Sequence, residues 1–206
     1  MTAKGNKQGS HRQAPQQVRI IGGQWKRTPL PVANVDGLRP TPDRVRETVF
    51  NWINHQLGAG WNGIRCLDLF AGSGALGFEA ASRGAAQVTL VEANPTACRN
   101  LDAIKTKLQA AQVQVTRDDA LRFVKSAIAS GQQFDLIFLD PPYQSDWLAQ
   151  ILPLCAVLLR DGGLLYTESA QALAAEDATE SPKQGDRLHI IRADRAGMVH
   201  YYLLQR

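Results

Sequence analysis

The sequence predicts an α/β protein: a doubly wound, mostly parallel seven-stranded sheet of Rossmann-like type, with a C-terminal antiparallel hairpin and a small N-terminal hairpin-plus-helix extension. Three observations carry this. From residue 64 onward, short apolar runs alternate with longer helical stretches, the pattern of a parallel sheet with helices on both faces. The first of these runs opens into a glycine-rich turn, Ala71-Gly72-Ser73-Gly74, and then into a helix. The last two runs, His189 to Ala193 and Val199 to Leu204, are separated by Asp194-Arg195-Ala196-Gly197, too short for a crossover, so they must pair antiparallel.

Taken in order, residues 1–17 are rich in Gln, Lys, Gly and Ser with almost no apolar content, which predicts a disordered basic tail. Residues 18–60 form the extension. Val18-Arg19-Ile20-Ile21, Gly22-Gly23, Gln24-Trp25-Lys26 and Leu30-Pro31-Val32 read as short strands joined by a glycine turn. Thr41 is the expected N-cap of a helix, with Pro42 at its first position and Asp43 at its positive end. Val45, Val49, Ile53 and Leu57 then give it an apolar face by recurring every four residues. Residues 61–206 form the main domain. After the linker Gly58 to Gly63, strands are expected at Ile64 to Phe70, Gln87 to Glu92, Val113 to Thr116, Asp135 to Leu139 and Gly163 to Thr167. The intervening helices are Ala75 to Arg83, Pro95 to Leu108, Ala120 to Ala129 and Trp147 to Leu159.

Composition narrows the class. A chain of 206 residues, 44% hydrophobic, is long enough to bury a sizeable core. No apolar run approaches the ~18 residues of a membrane span, and the polar, basic start lacks a signal-peptide core, so a cytoplasmic protein is expected. Cys66, Cys98 and Cys155 are odd in number and far apart, and the four histidines lack ligand spacing; neither a disulfide framework nor a metal is expected. The net charge of +4 is uneven. Residues 1–57 hold nine Lys and Arg against three Asp and Glu, whereas residues 58–206 hold fourteen against sixteen. A polyanionic partner would therefore meet the amino-terminal third, where Arg19, Lys26, Arg27, Arg39, Arg44 and Arg46 lie inside patterned sequence.

In a doubly wound sheet, ligands bind at the carboxyl ends of the strands near the switch in strand order. Asp68, Phe70, Ala71, Gly72, Ser73 and Gly74 fall there, as do Glu92, placed to take both hydroxyls of a ribose, and Asp118-Asp119-Ala120, placed to accept from an adenine amino group. Gly72, Gly74 and Gly77 also satisfy the dinucleotide fingerprint, with an acid about twenty residues on, so a nicotinamide or flavin oxidoreductase is a rival. Asp68 separates the two. A carboxylate near the mouth would sit beside a doubly negative pyrophosphate, whereas in S-adenosylmethionine it faces an ammonium and a sulfonium. Two unit charges at ~4 Å interact by about 4 kcal/mol at an effective dielectric of about 20, and the sign favours the methyl donor.

The reacting end is Asp140-Pro141-Pro142-Tyr143, where the run Leu136-Ile137-Phe138-Leu139 breaks into a loop. On the tetrapeptide alone a plain strand-ending turn would look the same. Beside a donor site it becomes a socket for a flat amino-bearing base. Asp140 and the Pro141 carbonyl can each accept one amino hydrogen, the prolines stiffen the turn, and Tyr143 can stack on the ring for ~1–3 kcal/mol. Ring-carbon methylation usually needs a cysteine nucleophile, and none lies in this loop. The residues leave open guanine, adenine or cytosine as the base, and also an RNA-binding assembly factor that uses the donor only structurally.

At this point the sequence resembles class I methyltransferases bearing an amino-methylating tetrapeptide, and among them the RsmD family of bacterial 16S ribosomal RNA guanine-N2 methyltransferases. The resemblance runs from Val18 to Leu204 and is carried by Arg19-Ile20-Ile21-Gly22-Gly23-Gln24-Trp25, by Leu38-Arg39-Pro40-Thr41 with Asp43-Arg44-Val45-Arg46-Glu47-Thr48-Val49-Phe50-Asn51-Trp52, and by Asp68 to Gly77 and Asp140 to Tyr143. It departs at Lys26-Arg27-Thr28-Pro29, where relatives usually place a glycine and another basic residue before the leucine. The resemblance implies methyl transfer from S-adenosylmethionine to the amino group of one guanine of 16S rRNA, in the small ribosomal subunit or a precursor. Asp140, Pro141, Pro142 and Tyr143 would be the catalytic loop, with Arg and Lys of residues 18–60 on the RNA. Glu168, ending the fifth strand, is expected to cap or pack, and the protein is expected to be a monomer.

Overall fold

The computed structural model describes residues 17–32, 41–142, 147–173 and 187–206. The expected tail falls almost wholly outside them, as do Arg39 and Tyr143. The elements are β1 (Gln17–Arg19), β2 (Pro29–Pro31), α1 (Asp43–Gln56), β3 (Arg65–Asp68), α2 (Ala75–Ser82), β4 (Gln87–Glu92), α3 (Pro95–Leu108), β5 (Val113–Arg117), α4 (Ala120–Ala129), β6 (Phe134–Leu139), α5 (Trp147–Leu158), β7 (Leu159–Ser169), β8 (His189–Ala196) and β9 (Val199–Gln205). Seven strands form one sheet in the order β5-β4-β3-β6-β7-β9-β8. All neighbours from β5 to β7 are parallel, and β9 runs antiparallel between β7 and β8. The order reverses at β3 and β6, so the crevice of such a sheet opens above the ends of those two strands.

Strand residues alternate between two cores, as the period of two demands. Cys66, Leu136, Phe138, Leu164 and Leu203 join the cluster with α2 and α3, whereas Leu67, Ile137, Leu139, Leu165 and Leu204 join the cluster with α4 and α5. The extension belongs to the first cluster: Val18, Ile20 and Leu30 from the hairpin and Val45, Val49, Phe50 and Ile53 from α1 pack in it. The amphipathic stripe of α1 therefore covers one face of the sheet beside α2.

The β1–β2 hairpin is clamped to α2. Glu79 is fully buried and its two carboxylate oxygens accept the backbone N–H of Ile21 at 2.6 Å and Gly22 at 2.8 Å. Ser82 accepts from Trp25 N at 2.9 Å and donates to Gly22 O at 2.6 Å. Gly23 is required here: it has φ +73°, and a Cβ would stand 1.9 Å from the Ser82 carbonyl oxygen.

Several boundaries differ from expectation for local reasons. Pro42, not Thr41, holds the N-cap position of α1 without a side-chain cap bond, because the Thr41 hydroxyl turns to two carboxylates instead. β7 begins at Leu159, which pairs with Phe134 ahead of a register shift, and Gly162 and Gly163 are held by Arg206 across the irregularity. β8 runs on through Asp194, Arg195 and Ala196, so the connection to β9 is Gly197 and Met198 alone. Among the described residues, no helix is long and apolar enough to cross a membrane.

Candidate active site

Asp68 ends β3 with its carboxyl buried, and Oδ2 accepts the N–H of Gly77 at 3.1 Å, tying the strand to the first turn of α2. Burial pushes the Asp68 carboxyl up to about 7; backbone N–H bonds from Gly77 and Phe70 oppose the shift and the Glu92 charge adds to it. The turn between them is held from both sides. Ala71 N donates to Val91 O at 3.0 Å, Gly72 N to Glu92 Oε2 at 2.9 Å, and Gly74 N to Ala71 O at 2.6 Å. Gly74 occupies the N-cap of α2 in the left-handed region, φ +76°, packed so closely on Phe78 and Leu101 that a Cβ would lie 2.5 Å from the Phe78 ring. Gly77 serves packing: a Cβ would lie 2.1 Å from Leu90 Cδ2, so helix and sheet touch there. That third glycine of the fingerprint is explained by the fold, whichever ligand is bound.

Glu92 closes β4 and uses both oxygens on backbone, Oε2 on Gly72 N and Oε1 on Asn94 N at 2.7 Å. Each oxygen keeps a second lone pair for a hydroxyl. Asp119 caps α4, accepting Arg122 N at 3.0 Å, with Ala120 buried behind it, while Asp118 is ion-paired with Arg122. Phe70 is half-buried and meets Trp147, the first residue of α5, edge-on at 5.9 Å. Ala71 and Ser73 are buried within the turn.

Asp140 follows β6. β3 and β6 pair with Asp68 opposite Phe138, and Leu69 N donates to Phe138 O at 3.1 Å, so the two acids leave the sheet from adjacent strands. The Asp140 carboxyl is held well above the usual carboxylate range by desolvation, then by the charges of Glu168 and Asp68, with the Thr41 hydroxyl opposing. A crevice that gathers Asp68, Asp140 and Glu168 is under strain from like charges, and a ligand bearing positive charge relieves it. An ammonium and a sulfonium fit that demand; a pyrophosphate does not.

The basic residues separate into two kinds. Lys26, Arg27 and Arg44 are exposed, Arg27 in the left-handed region at φ +70°. Arg19 is exposed too, with Nε 2.8 Å from Asp43 Oδ2. Arg46, expected on the RNA-facing surface, is instead 0% exposed. Its guanidinium donates to Asp43 Oδ1 at 2.6 Å, Arg19 O at 2.8 Å and Thr41 O at 3.3 Å, because it sits on the inward face of α1 one residue after Val45. It is a staple between the hairpin, the helix and the segment carrying Thr41.

Thr41, Tyr166 and Glu168 are the site neighbours that sequence reasoning missed or gave another role. Only the strand order could have pointed to Glu168: β6 and β7 are parallel neighbours with Leu139 opposite Thr167, which brings their following acids together.

Fold and site together define the class. Glycine-rich first turns serve dinucleotide enzymes and methyltransferases alike; the antiparallel β9 between β7 and β8, with Asp-Pro-Pro after β6, is the arrangement of class I methyltransferases, which use S-adenosylmethionine. Residues 18–205 match the model of the family described as conserved hypothetical protein 95. The chain belongs to this family, the RsmD family. It is 38% identical over 190 residues to ribosomal RNA small subunit methyltransferase D of Escherichia coli strain K12, covering 92% of this chain and 90% of that one. The Haemophilus influenzae protein of the same name is 40% identical over 159 residues, 74% of this chain and 79% of its own. A solved structure from Escherichia coli, provisionally named a methyltransferase, is similar with a TM-score of 0.73 at 36% identity, covering 92% of this chain and 98% of that one. A methyltransferase complexed with SAH, also provisionally named, shares the fold alone at 17% identity and a TM-score of 0.70, covering 95% of this chain and 57% of that one.

Proposed function

We propose that the protein methylates the exocyclic amino group of one guanine in 16S rRNA, acting as a cytoplasmic monomer on the small ribosomal subunit or its precursor. The observation that carries the reaction type is the placement of Asp140-Pro141-Pro142 at the end of β6, directly beside the Asp68 turn of β3. The small-subunit target is supported by relatives whose names state it, and the guanine by the family resemblance.

Asp68, Glu92, Asp119 and the turn Phe70 to Gly74 would hold S-adenosylmethionine, with Ala120 behind them. When bound, it supplies an electrophilic methyl group on a sulfonium. The protein's part is orientation. An aromatic amino nitrogen is a poor nucleophile because its lone pair is delocalised into the ring. Asp140 and the Pro141 carbonyl, each accepting one amino hydrogen, favour a pyramidal nitrogen whose lone pair points away from the socket. Pro141 is buried and Pro142 exposed, and neither proline brings an N–H that would compete for the acceptors of the amino group. Tyr143 is assigned to stacking on the base. Arg19, Lys26, Arg27, Arg39 and Arg44 are assigned to RNA phosphates, so affinity should fall steeply with salt.

The test is incubation with labelled donor and small subunits from a strain lacking the modification, followed by mapping at nucleotide resolution. Label at one guanine is expected. Label on adenine or cytosine, or none, would refute the assignment.

A further inference from the structure

Three buried groups beside Asp140 have no part in the chemistry so far. With Leu139 opposite Thr167 in the β6–β7 register, Asp140 and Glu168 are the next residues along two paired strands. Thr41, entering ahead of α1, sets one hydroxyl between them, 2.9 Å from Glu168 Oε1 and 3.5 Å from Asp140 Oδ2. Tyr166 donates to the same Glu168 oxygen at 2.6 Å. Thr41, Tyr166 and Glu168 are all buried, and Arg46 fixes Thr41 from behind by donating to its carbonyl.

The polarity of this chain can be read from proton counting. Two O–H donors converge on Glu168 Oε1, the arrangement an ionised carboxylate accepts. A hydroxyl owns one proton, so Thr41 gives it to the nearer Glu168 and turns a lone pair toward Asp140. A proton arriving on Asp140 then has an acceptor waiting. Asp140, which receives no proton from Thr41 in this arrangement, is the acid left to exchange one with the site.

We propose that Glu168 is a positioning residue for amino methylation: its fixed charge, oriented by Thr41 and Tyr166, makes the adjacent Asp140 the acceptor of the proton that the target amino group loses. This rests on the function proposed above. As the nitrogen lone pair forms the bond to the methyl carbon, the carbon–sulfur bond breaks with its electrons going to sulfur. The N–H bond breaks, leaving its electrons on nitrogen and its proton on the Asp140 carboxylate. Asp140 is only half-buried, so that proton can pass to solvent after the product leaves. The groups acting on Asp140 are Glu168 from β7, Asp68 from β3 and Thr41 from the segment before α1; the two charges and burial raise its affinity for a proton, and the hydroxyl would lower it only by giving Asp140 the proton that it gives to Glu168 instead.

The experiment uses the full chain. Glu168→Gln keeps an oxygen for both hydroxyls and removes the charge; Glu168→Asp withdraws the charge without removing it. The Asp140 carboxyl is titrated by carbon-13 NMR, its signal assigned with Asp140→Asn. The titration should move down by about one pH unit or more in Glu168→Gln, and by less in Glu168→Asp, which serves alone if the first variant does not fold. Single-turnover methylation of small subunits should show the acid limb moving down in step. The plateau rate should fall roughly tenfold, a fraction of the ~10²–10⁴ that a positioned proton acceptor contributes, with KM for the subunit unchanged. An unmoved Asp140 titration overturns the proposal whatever the wild-type protein does to RNA. A moved titration with an unchanged plateau rate overturns the proton-acceptor role. Wild-type protein that transfers no methyl to guanine refutes the function instead, and the NMR result still decides the coupling of the two acids.

Discussion

Replacing Asp68 by Asn should lift a pH-dependent cost from the fold and weaken the site, and the two effects separate with pH. The folded-state carboxyl titrates near 7 against 3.8 for an unperturbed one, chiefly because it is buried. Below 3.8 the group is protonated in both folded and unfolded chains and its burial costs little. As pH rises toward 7, the unfolded chain ionises freely while the folded one resists, so stability is lost across that window and stays lost above it. At about 1.4 kcal/mol for each pH unit between those two values, the whole window is worth at most about 4 kcal/mol, of which about 2–3 falls between pH 5 and pH 8. Asn keeps an oxygen for the Gly77 N–H and carries no charge at any pH. Urea unfolding should therefore find the variant gaining on the wild type by about 2–3 kcal/mol from pH 5 to pH 8. Asp140, which feels the Asp68 charge, is relieved in the same direction. Calorimetry with S-adenosylmethionine should show the opposite. Affinity for the wild type rises through pH 7 as the carboxyl ionises, and in the variant it is lower and flatter. A gap between the two unfolding curves that stays constant within about 0.5 kcal/mol, or an affinity the variant leaves intact, would refute the role given to Asp68.

Glu79→Gln replaces one carboxylate oxygen by an NH2 group facing a backbone N–H and removes the charge paired with Arg83, whose guanidinium also lies over Phe50 at 4.8 Å. It should cost about 2–4 kcal/mol in urea unfolding; a loss under about 1 kcal/mol would mean the hairpin is held by its apolar contacts instead. Arg46→Ala should likewise destabilise by about 2–4 kcal/mol, whereas Arg44→Ala and Lys26→Ala should leave unfolding unchanged, weaken subunit binding and reduce its salt slope, as filter binding would show. Arg27→Gly relieves a left-handed residue at φ +70° and should stabilise by about 0.5–1 kcal/mol while losing one RNA contact; a destabilised variant would show that the side chain anchors the turn.

What the sequence disclosed depended on how locally each feature is encoded. The β3 turn, the end of β4 and the exit of β6 at Asp140 were legible as strand ends because a strand, its glycines and its terminal acid are contiguous, and alternation of strands with helices fixes where such ends must meet. The helix around Val45, Val49 and Ile53 was legible for the same reason, but the cations on it were not. Spacing along α1 does not reveal that Arg46 lies under β1, since the hairpin that buries it is placed by Glu79 and Ser82 of a different helix. Thr41 fails in a related way. A threonine before a proline and an aspartate has the local marks of a cap, and it acts otherwise because Glu168, 127 residues away, offers its hydroxyl a buried carboxylate. An exposed helix end can leave its N–H groups to water, whereas a hydroxyl given to a buried carboxylate makes a charge-assisted bond that water cannot replace there, so the tertiary partner wins. Where a polar side chain has both a local and a long-range use, burial decides between them, and burial is the property a single sequence encodes least directly.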